Sequence, residues 1–205
     1  MKILIDNGHG SNTPGKCSPD KTLREYAWTR EITAIVVNEL KRKGLDASLL
    51  VPELQDISLT ERVARINKQC SIWGSKNVVL VSIHNNAARS DGQWDPSARG
   101  FSVFVSKTSS EKSKDLSEIF YSLASDRKML GNRSTPKPDG KGRHYWTWSW
   151  TSKDIYILTK SNCPAVLTEN LFMDNKQDCA YLLSEDGKAE IVKLHVDAIT
   201  NYVAR

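Results

Sequence analysis

The sequence lacks three features that would each have indicated a particular class of protein. No apolar run approaches the roughly 20 residues of a membrane-spanning helix. Repeats and low-complexity segments are also missing, which excludes repeat proteins and disordered chains. None of the four cysteines is in C-x-x-C spacing, so we expect reduced thiols and no cysteine zinc site: Cys17, Cys70, Cys163 and Cys179.

The composition that remains is that of a folded protein. The 205 residues are 39% hydrophobic and 26% charged, and this length predicts a single domain over residues 1–205. The net charge of +5 is modest and does not select between anionic polymers such as cell wall and nucleic acid. We predict no nucleic-acid partner, no membrane span and a monomeric protein.

The first residues are not typical of an export signal. Ile3, Leu4 and Ile5 are apolar, but the acidic Asp6 ends the run, which is too short for the apolar segment of a signal peptide. The expectation is therefore that no signal peptide is visible, either because none exists or because it has been lost.

Apolar runs alternate with segments of helical periodicity along the chain. The predicted strands cover residues 3–6, 47–51, 78–84, 101–105, 155–158 and 165–169, and the predicted helices cover 24–43, 59–73, 111–125 and 188–203. Continuous apolar runs such as Val78–Val81 are typical of strands that are covered on both faces. The alternation predicts an α/β fold, with an open and mostly parallel sheet between two layers of helices.

Three predicted strands are followed by a side chain that hydrolytic chemistry can use. His9 follows the first strand between two glycines, His84 ends the third strand, and Glu169 ends the last. Ligands collect at the carboxyl ends of strands in open α/β sheets, so these groups are candidates for one site although they are far apart in sequence. For His9 alone, the alternative is a strand-to-loop turn with a solvated histidine.

Glu25 lies on the apolar face of the first predicted helix. It precedes Trp28 by three residues and Ile32 by seven, which places all three side chains on one face. A carboxylate that faces inward needs a cationic partner or a metal ion. The alternative is a glutamate in the first turn that the helix dipole stabilises.

Together, His9, Glu25 and His84 offer two nitrogens and one oxygen. This is the ligand set of a catalytic zinc site, which leaves the fourth position open for water. Zinc lowers the pKa of that water from about 15.7 to about 7 and polarises a scissile carbonyl. A carboxylate must still accept the proton and pass it to the leaving nitrogen. Glu169 ends an otherwise apolar strand, and we predict that it is the general base in the hydrolysis of an amide.

The segments around these residues resemble those of the zinc-dependent N-acetylmuramoyl-L-alanine amidases, the family typified by bacterial cell-separation and sporulation amidases. The matching segments occur in the family's order and span nearly the whole chain: Ile5–Gly10, Arg24–Tyr26, Ser82–Ala87 and Pro164–Asn175. The resemblance implies a twisted, mostly parallel six-stranded sheet with flanking helices. It implies one zinc ion per chain, bound by His9, Glu25 and His84. It also implies that Glu169 is the catalytic glutamate.

The resemblance further implies a substrate and a place of action. The substrate is peptidoglycan or a muropeptide, cleaved between the lactyl group of N-acetylmuramic acid and the L-alanine of the stem peptide. The protein then acts in the cell wall, the periplasm or outside the cell. The family usually has proline at Asn7, glycine at Ser11, and Val-Glu-x-Gly-Phe where this chain has Thr168–Phe172. We expect these departures to affect substrate preference more than activity.

Two polar residues are candidate substrate contacts. Asn86 follows the candidate ligand His84 and could orient the ligand or the substrate, or it could cap a turn. Arg143 could pair with a carboxylate of the stem peptide, or it could be an ordinary exposed arginine.

Aromatic residues mark a long loop that we predict for residues 131–152. Trp146, Trp148 and Trp150 occupy every second position in this loop. They form either a strand with one aromatic face on the core or an aromatic platform that binds sugar or peptide. The loop is the candidate lid, and residues 85–100 are too short and too rich in turn residues for a blocking helix, so we expect an open site.

Two other histidines are expected to be structural. His195 falls at helical spacing with Ile191 and Leu194, which predicts a packed position on a helix. His144 lies in the long loop and could touch substrate, but an ordinary loop position explains it.

Other functions stay open at this point. A zinc peptidase that cuts within the stem peptide would use the same scaffold, and a catalytically silent wall-binding module would not need all four site residues. The presence of all four favours an enzyme. The sequence does not decide between a phage lysin and a host autolysin.

Overall fold

Strands and helices alternate in the computed structural model, which describes residues 1–134, 136–147 and 154–205. The strands are β1 (Lys2–Asn7), β2 (Asp46–Leu49), β3 (Val78–Asn86), β4 (Ser102–Phe104) and β5 (Ala165–Phe172). The helices are α1 (Glu25–Arg42), α2 (Leu59–Trp73), α3 (Glu111–Asp126), α4 (Tyr156–Lys160), α5 (Lys176–Leu183) and α6 (Glu185–Val203). A 3-10 turn at Ser75–Asn77 leads into β3.

The described strands form one sheet in the order β2-β1-β3-β5-β4. The pairings among β2, β1, β3 and β5 are parallel, whereas β4 runs antiparallel to β5. In this register His84 of β3 lies opposite Glu169 of β5. The predicted α/β class and the mostly parallel sheet are confirmed.

The prediction of a sixth strand at residues 155–158 is wrong, because this segment begins the short helix α4. Ile157 and Leu158 are buried against the residues of α2, while Tyr156 is exposed. A short run of apolar residues has the same composition in a buried strand and in a buried helical turn, so periodicity could not separate them. Among the described residues the sheet therefore has five strands.

Helices cover both faces of the sheet, as predicted. Ile5 and Val81 belong to one apolar cluster with residues of α1, α3 and α6, and we call this side the α1 face. Leu4 and Leu80 belong to a second cluster with residues of α2 and α4, and we call this side the α2 face. Within the described ranges, no helix is long and apolar enough to cross a membrane.

Helix α1 carries Glu25 to the edge of the sheet where strands β1, β3 and β5 end. Its buried apolar side chains recur at helical spacing: Trp28, Ile32, Val36 and Leu40. Two cations in the last turn and Gly44 at a φ of 78° end the helix. A helix that connects parallel strands runs back across the sheet, so its first residue lies at their carboxyl ends.

Candidate metal centre and active site

His9, Glu25 and His84 meet at this carboxyl edge. Glu25 Oε1 lies 3.1 Å from His84 Nδ1, and Glu25 Oε2 lies 3.3 Å from His9 Nε2. The two imidazole rings are edge to face with their centroids 5.1 Å apart. One candidate ligand atom from each residue lies within 4.8 Å of the other two. The three side chains that the sequence analysis selected are therefore in direct contact.

The backbone at His9 is held in an uncommon conformation. Its φ is 62°, in the left-handed region that non-glycine residues seldom adopt. A Cβ atom at Gly8 would overlap the His84 ring, so only glycine lets the two segments approach this closely. Arg30 and Arg62 both donate to the His9 carbonyl oxygen, at 3.0 and 3.4 Å. These contacts fix the direction of the His9 imidazole.

The Glu25 carboxylate is almost fully buried at the start of α1, with 1% of the residue exposed. Its Oε1 also accepts a hydrogen bond from the Asn85 backbone N–H at 3.0 Å. Burial alone would raise the pKa of Glu25, but the contacts with His84, His9 and this N–H outweigh burial and lower it. Glu25 is therefore ionised at neutral pH.

The protonation of His9 suits a metal ligand. Burial lowers its pKa to about 4, and although Glu25 opposes this shift, the neighbouring His84 adds to it. His9 is thus neutral at pH 7, and a neutral imidazole has a lone pair to offer. Two imidazole nitrogens beside one ionised carboxylate fit zinc in composition and in charge.

Glu169 lies next to this cluster with one oxygen unpartnered. Its Oε2 is buried and forms no hydrogen bond within the described part of the chain. Burial raises the pKa of Glu169 to about 7, and the nearby charge of Glu25 adds to the rise while His84 opposes it. A carboxyl group with this pKa can accept and release a proton near neutral pH.

A cavity of about 550 Å³, here called the histidine cavity, opens beside these groups. His9 and His84 form part of its wall, and Asp56, Tyr156 and Leu167 lie on other sides. Its volume is in the range of small-ligand sites. The cluster is therefore accessible to a bound molecule from the α2 face.

Sequence analysis missed a buried ion network beneath this cavity. Arg62, 3% exposed, donates to Asp6 Oδ1 at 2.5 Å, to Asp56 Oδ1 at 2.8 Å and to the Asn7 carbonyl at 2.7 Å. The Ser82 hydroxyl donates to the other oxygen of Asp6 at 2.6 Å. An acidic residue in the apolar run of β1 and an arginine on the buried side of α2 were the available signals.

The positions that depart from the family pattern lie directly behind the cluster. Asn7 Nδ2 donates to the Val51 carbonyl at 3.1 Å, and Asn170 Nδ2 donates to the His84 carbonyl at 2.9 Å. Leu171 has a φ of 61°, at the position where the family pattern has glycine. The backbone conformation suits the glycine of that pattern, although the side chain here is a leucine.

Two of the predicted substrate residues line one further cavity. Asn86 and Trp146 both border a cavity of about 370 Å³ beside β4, here called the β4 cavity, together with Ser102, Arg133 and Phe172. The Trp146 backbone pairs with β4 through Val103 and Val105, and a role of its ring in binding sugar or peptide stays a prediction. Trp148 and Trp150 lie outside the described residues.

Arg143 pairs with acidic residues of its own chain. Its side chain is only 9% exposed and forms ion pairs with Asp139 and Asp115, both at 2.8 Å, and with Glu111 at 3.1 Å. The guanidinium group thus ties the loop to α3. Its donors are occupied by carboxylates of its own chain, and the contact with a stem-peptide carboxylate stays a prediction.

Comparison with known proteins agrees with this fold and site. The sequence matches the family model described as N-acetylmuramoyl-L-alanine amidase over residues 3–201. It is 26% identical over 201 residues to an N-acetylmuramoyl-L-alanine amidase of Bacillus licheniformis, which covers 97% of this chain and 67% of that protein. An endolysin of Bacillus phage SPP1 is 22% identical over 208 residues, with 96% of this chain and 64% of the endolysin covered. The chain thus spans about two thirds of the length of these curated relatives.

A solved structure shares the fold. The crystal structure of an N-acetylmuramoyl-L-alanine amidase from Clostridium difficile 630 has a TM-score of 0.77 and 23% sequence identity, over 100% of this chain and 97% of that one. The family match covers the described sheet from Ile3 of β1 onward and includes the four residues discussed above. The chain belongs to the N-acetylmuramoyl-L-alanine amidase family and is a hydrolase of that family.

Proposed function

We propose that this protein hydrolyses the amide bond between N-acetylmuramic acid and the L-alanine of the stem peptide in peptidoglycan, and that it requires zinc. The observation that carries the proposal is the contact of one buried carboxylate, Glu25, with both imidazoles of His9 and His84. These three residues would hold one zinc ion, and Glu169 is the general base. Family membership supplies the class of bond that is cleaved.

Glu169 performs the proton transfers in this proposal. A zinc ion in the site would polarise the amide carbonyl and make water easier to deprotonate. Because the pKa of Glu169 is raised to about 7, its carboxylate can take a proton from water. The same carboxyl group then releases the proton to the leaving nitrogen. Glu169 thus acts first as a base and then as an acid. Its free Oε2 is the atom that receives the proton.

The remaining contacts hold the reacting groups in place. The Asn85 N–H fixes the carboxylate of Glu25, and the Asn170 side chain holds the His84 backbone. Arg30 and Arg62 hold the carbonyl of His9. Pre-set side chains of this kind avoid reorganisation during the reaction. Substitution of one of these supporting residues should change the rate and the metal affinity without removing a reacting group.

The proposal extends to substrate and location. The two relatives described above are named an amidase and an endolysin, which is consistent with peptidoglycan or a muropeptide as substrate. We propose that the protein acts in the cell wall, the periplasm or outside the cell. The single domain over residues 1–205 and the monomeric state stay predictions.

Digestion of purified peptidoglycan tests the proposed bond. We expect new amino groups on L-alanine and glycan strands without peptides, analysed by mass spectrometry of the products. Activity should disappear with a chelator and return with zinc. New amino groups within the stem peptide would instead identify a peptidase, and no release of products by the zinc-loaded protein would indicate a binding module.

A further inference from the structure

The β4 cavity adjoins the proposed reaction centre and shares no lining residue with the histidine cavity. Asn86 stands two residues beyond His84 on β3 and is paired with Phe172 of β5. Ser102, at the start of β4, is paired with Glu169. Since these residues border the cavity, it adjoins the strand ends that carry both a candidate ligand and the proposed base. A substrate bound at the proposed reaction centre can therefore reach this cavity.

The described wall of the β4 cavity offers hydrogen-bond donors and no carboxylate. The Arg133 side chain is exposed and forms no hydrogen bond or ion pair with the described residues. Asn86 uses its Oδ1 to accept from the Ala87 N–H at 2.9 Å, which leaves its amide N–H groups free for a ligand. The indole N–H of Trp146 is buried and has no acceptor in the described part of the chain. A buried donor without an acceptor is costly, and a ligand that supplies one removes the cost.

The backbone of Arg133 is fixed although its side chain is free. Its carbonyl oxygen accepts from the Ser102 hydroxyl at 3.0 Å, and its N–H donates to the Arg99 carbonyl at 3.3 Å. The residue is thus attached to β4 at the cavity. Arg143, ten residues further along the chain, differs in this respect, because three carboxylates pair with its guanidinium group.

The two cavities differ in the charge that they can accept. The histidine cavity contains Asp6 and Asp56, and its one arginine, Arg62, is bound to both. The β4 cavity has an arginine without a described partner and no described acidic residue. An anionic group is therefore favoured in the β4 cavity and disfavoured in the histidine cavity.

We propose that the β4 cavity binds a free carboxylate of the stem peptide and that Arg133 determines specificity for it. This inference rests on the amidase function proposed above. Arginine suits the role because its planar group can bind both oxygens of a carboxylate. The Asn86 amide donates to the same segment of peptide, and the Trp146 ring forms an apolar wall.

Two soluble muropeptides that differ in one respect test the inference. In one the stem-peptide carboxylates are free, and in the other they are converted to carboxamides. For Arg133→Gln, we expect the KM for the free form to rise roughly tenfold or more, as when a charge-assisted hydrogen bond is lost. The kcat should stay within about twofold, and the KM for the amidated form should not change. Arg133→Lys should restore part of the preference.

A matched control is Arg42→Gln, which removes an exposed arginine at the far end of α1. It should leave both KM values unchanged. Equal KM values for wild type and Arg133→Gln on the free form, or equal changes on both substrates, overturn the carboxylate site while wild-type activity stands. If the zinc-loaded wild type cleaves neither muropeptide, the proposed amidase function fails and this inference fails with it.

Discussion

Thr168 and Glu169 are neighbours on β5, but their side chains lie on opposite faces of the sheet in different surroundings. On the α1 face, Thr168 Oγ1 lies 3.0 Å from His195 Nε2, and His195 Nδ1 lies 2.8 Å from the Ile191 carbonyl. Both nitrogens have partners, and burial lowers the pKa of this histidine to about 4. On the α2 face, the buried Oε2 of Glu169 has no described partner, and burial raises the pKa of Glu169 to about 7.

The comparison shows that burial alone does not distinguish a structural group from a reactive one. What differs is whether the hydrogen-bonding atoms of the group are already occupied by its own chain. Both nitrogens of His195 are occupied, whereas Glu169 has one oxygen without a described partner, which suits its proposed role as a base. Four experiments test this distinction on the two faces.

The substitution Glu169→Gln should have the largest effect. It keeps the size of the side chain but removes the basic oxygen, so we expect amidase activity to fall roughly 10²- to 10⁴-fold. Zinc content, measured by atomic spectroscopy, should not change. The neighbouring Thr168→Val is the matched control, with a loss of stability of about 1 kcal/mol and little loss of activity. Full activity in Glu169→Gln would mean that another group is the base.

The substitution His84→Ala tests the metal site. Loss of a residue that hydrogen-bonds to a metal ligand lowers metal affinity roughly 10- to 100-fold. His84→Ala removes a proposed ligand itself, so we expect zinc affinity to fall by more than this. Competition with a chromophoric chelator measures this. His195→Gln is the control, since a histidine whose nitrogens are both occupied should not contribute to zinc binding. Tight zinc binding by His84→Ala would contradict the ligand set.

The Arg62 network extends the comparison, because it lies on the α2 face with Glu169 but its charged groups are paired with each other. Arg62→Met would leave Asp6 buried without its cation, and we expect a loss of about 3–5 kcal/mol in the free energy of unfolding. Urea titration measures the loss. The double variant Arg62→Met/Asp6→Asn should recover a large part of it. A loss below about 1 kcal/mol in the single variant would show that the network does not support the fold.

The smallest effect is a pH dependence of stability on the α1 face. The folded-state pKa of His195, about 4, lies below its ordinary value of 6.5, so the unfolded chain takes up this proton first as the pH falls. The contribution of His195 to the free energy of unfolding is fully present above about pH 6.5. It is lost as the pH falls toward 4, at up to about 1.4 kcal/mol per pH unit. His195→Gln should flatten this slope in denaturant titrations. An unchanged slope in His195→Gln would assign the acid sensitivity to other groups.

The fold could be predicted from the sequence where a long segment has a clear hydrophobic pattern. The predicted range of α2, Leu59–Trp73, is the observed one, and β3 and β5 begin at the predicted residues. Helix α4 was mistaken for a strand, and α5 was not predicted. Both are short, so contacts with the rest of the protein decide their conformation more than their own periodicity does.

The candidate site could be predicted because each of its groups stands at an end of a strand or at the start of a helix. The surrounding polar contacts could not, since they depend on which side chains from distant segments meet. Sequence analysis selected Arg143 as a substrate contact, and the structure shows that it is fully engaged with carboxylates. It gave no sign that the side chain of Arg133 would lack a partner among the described residues, because both arginines lie in the same polar loop.

The parallel pairing of β1, β3 and β5 has a consequence for when the enzyme becomes active. His84 and Glu169 come together only through the β3–β5 register, and His9 and Glu25 join them from β1 and α1. Pairing of strands that are distant in sequence is slow compared with helix formation. A nascent chain that has not yet formed β5 therefore lacks part of the proposed site. Under the proposed function, no bond can be cleaved before β3 and β5 have paired.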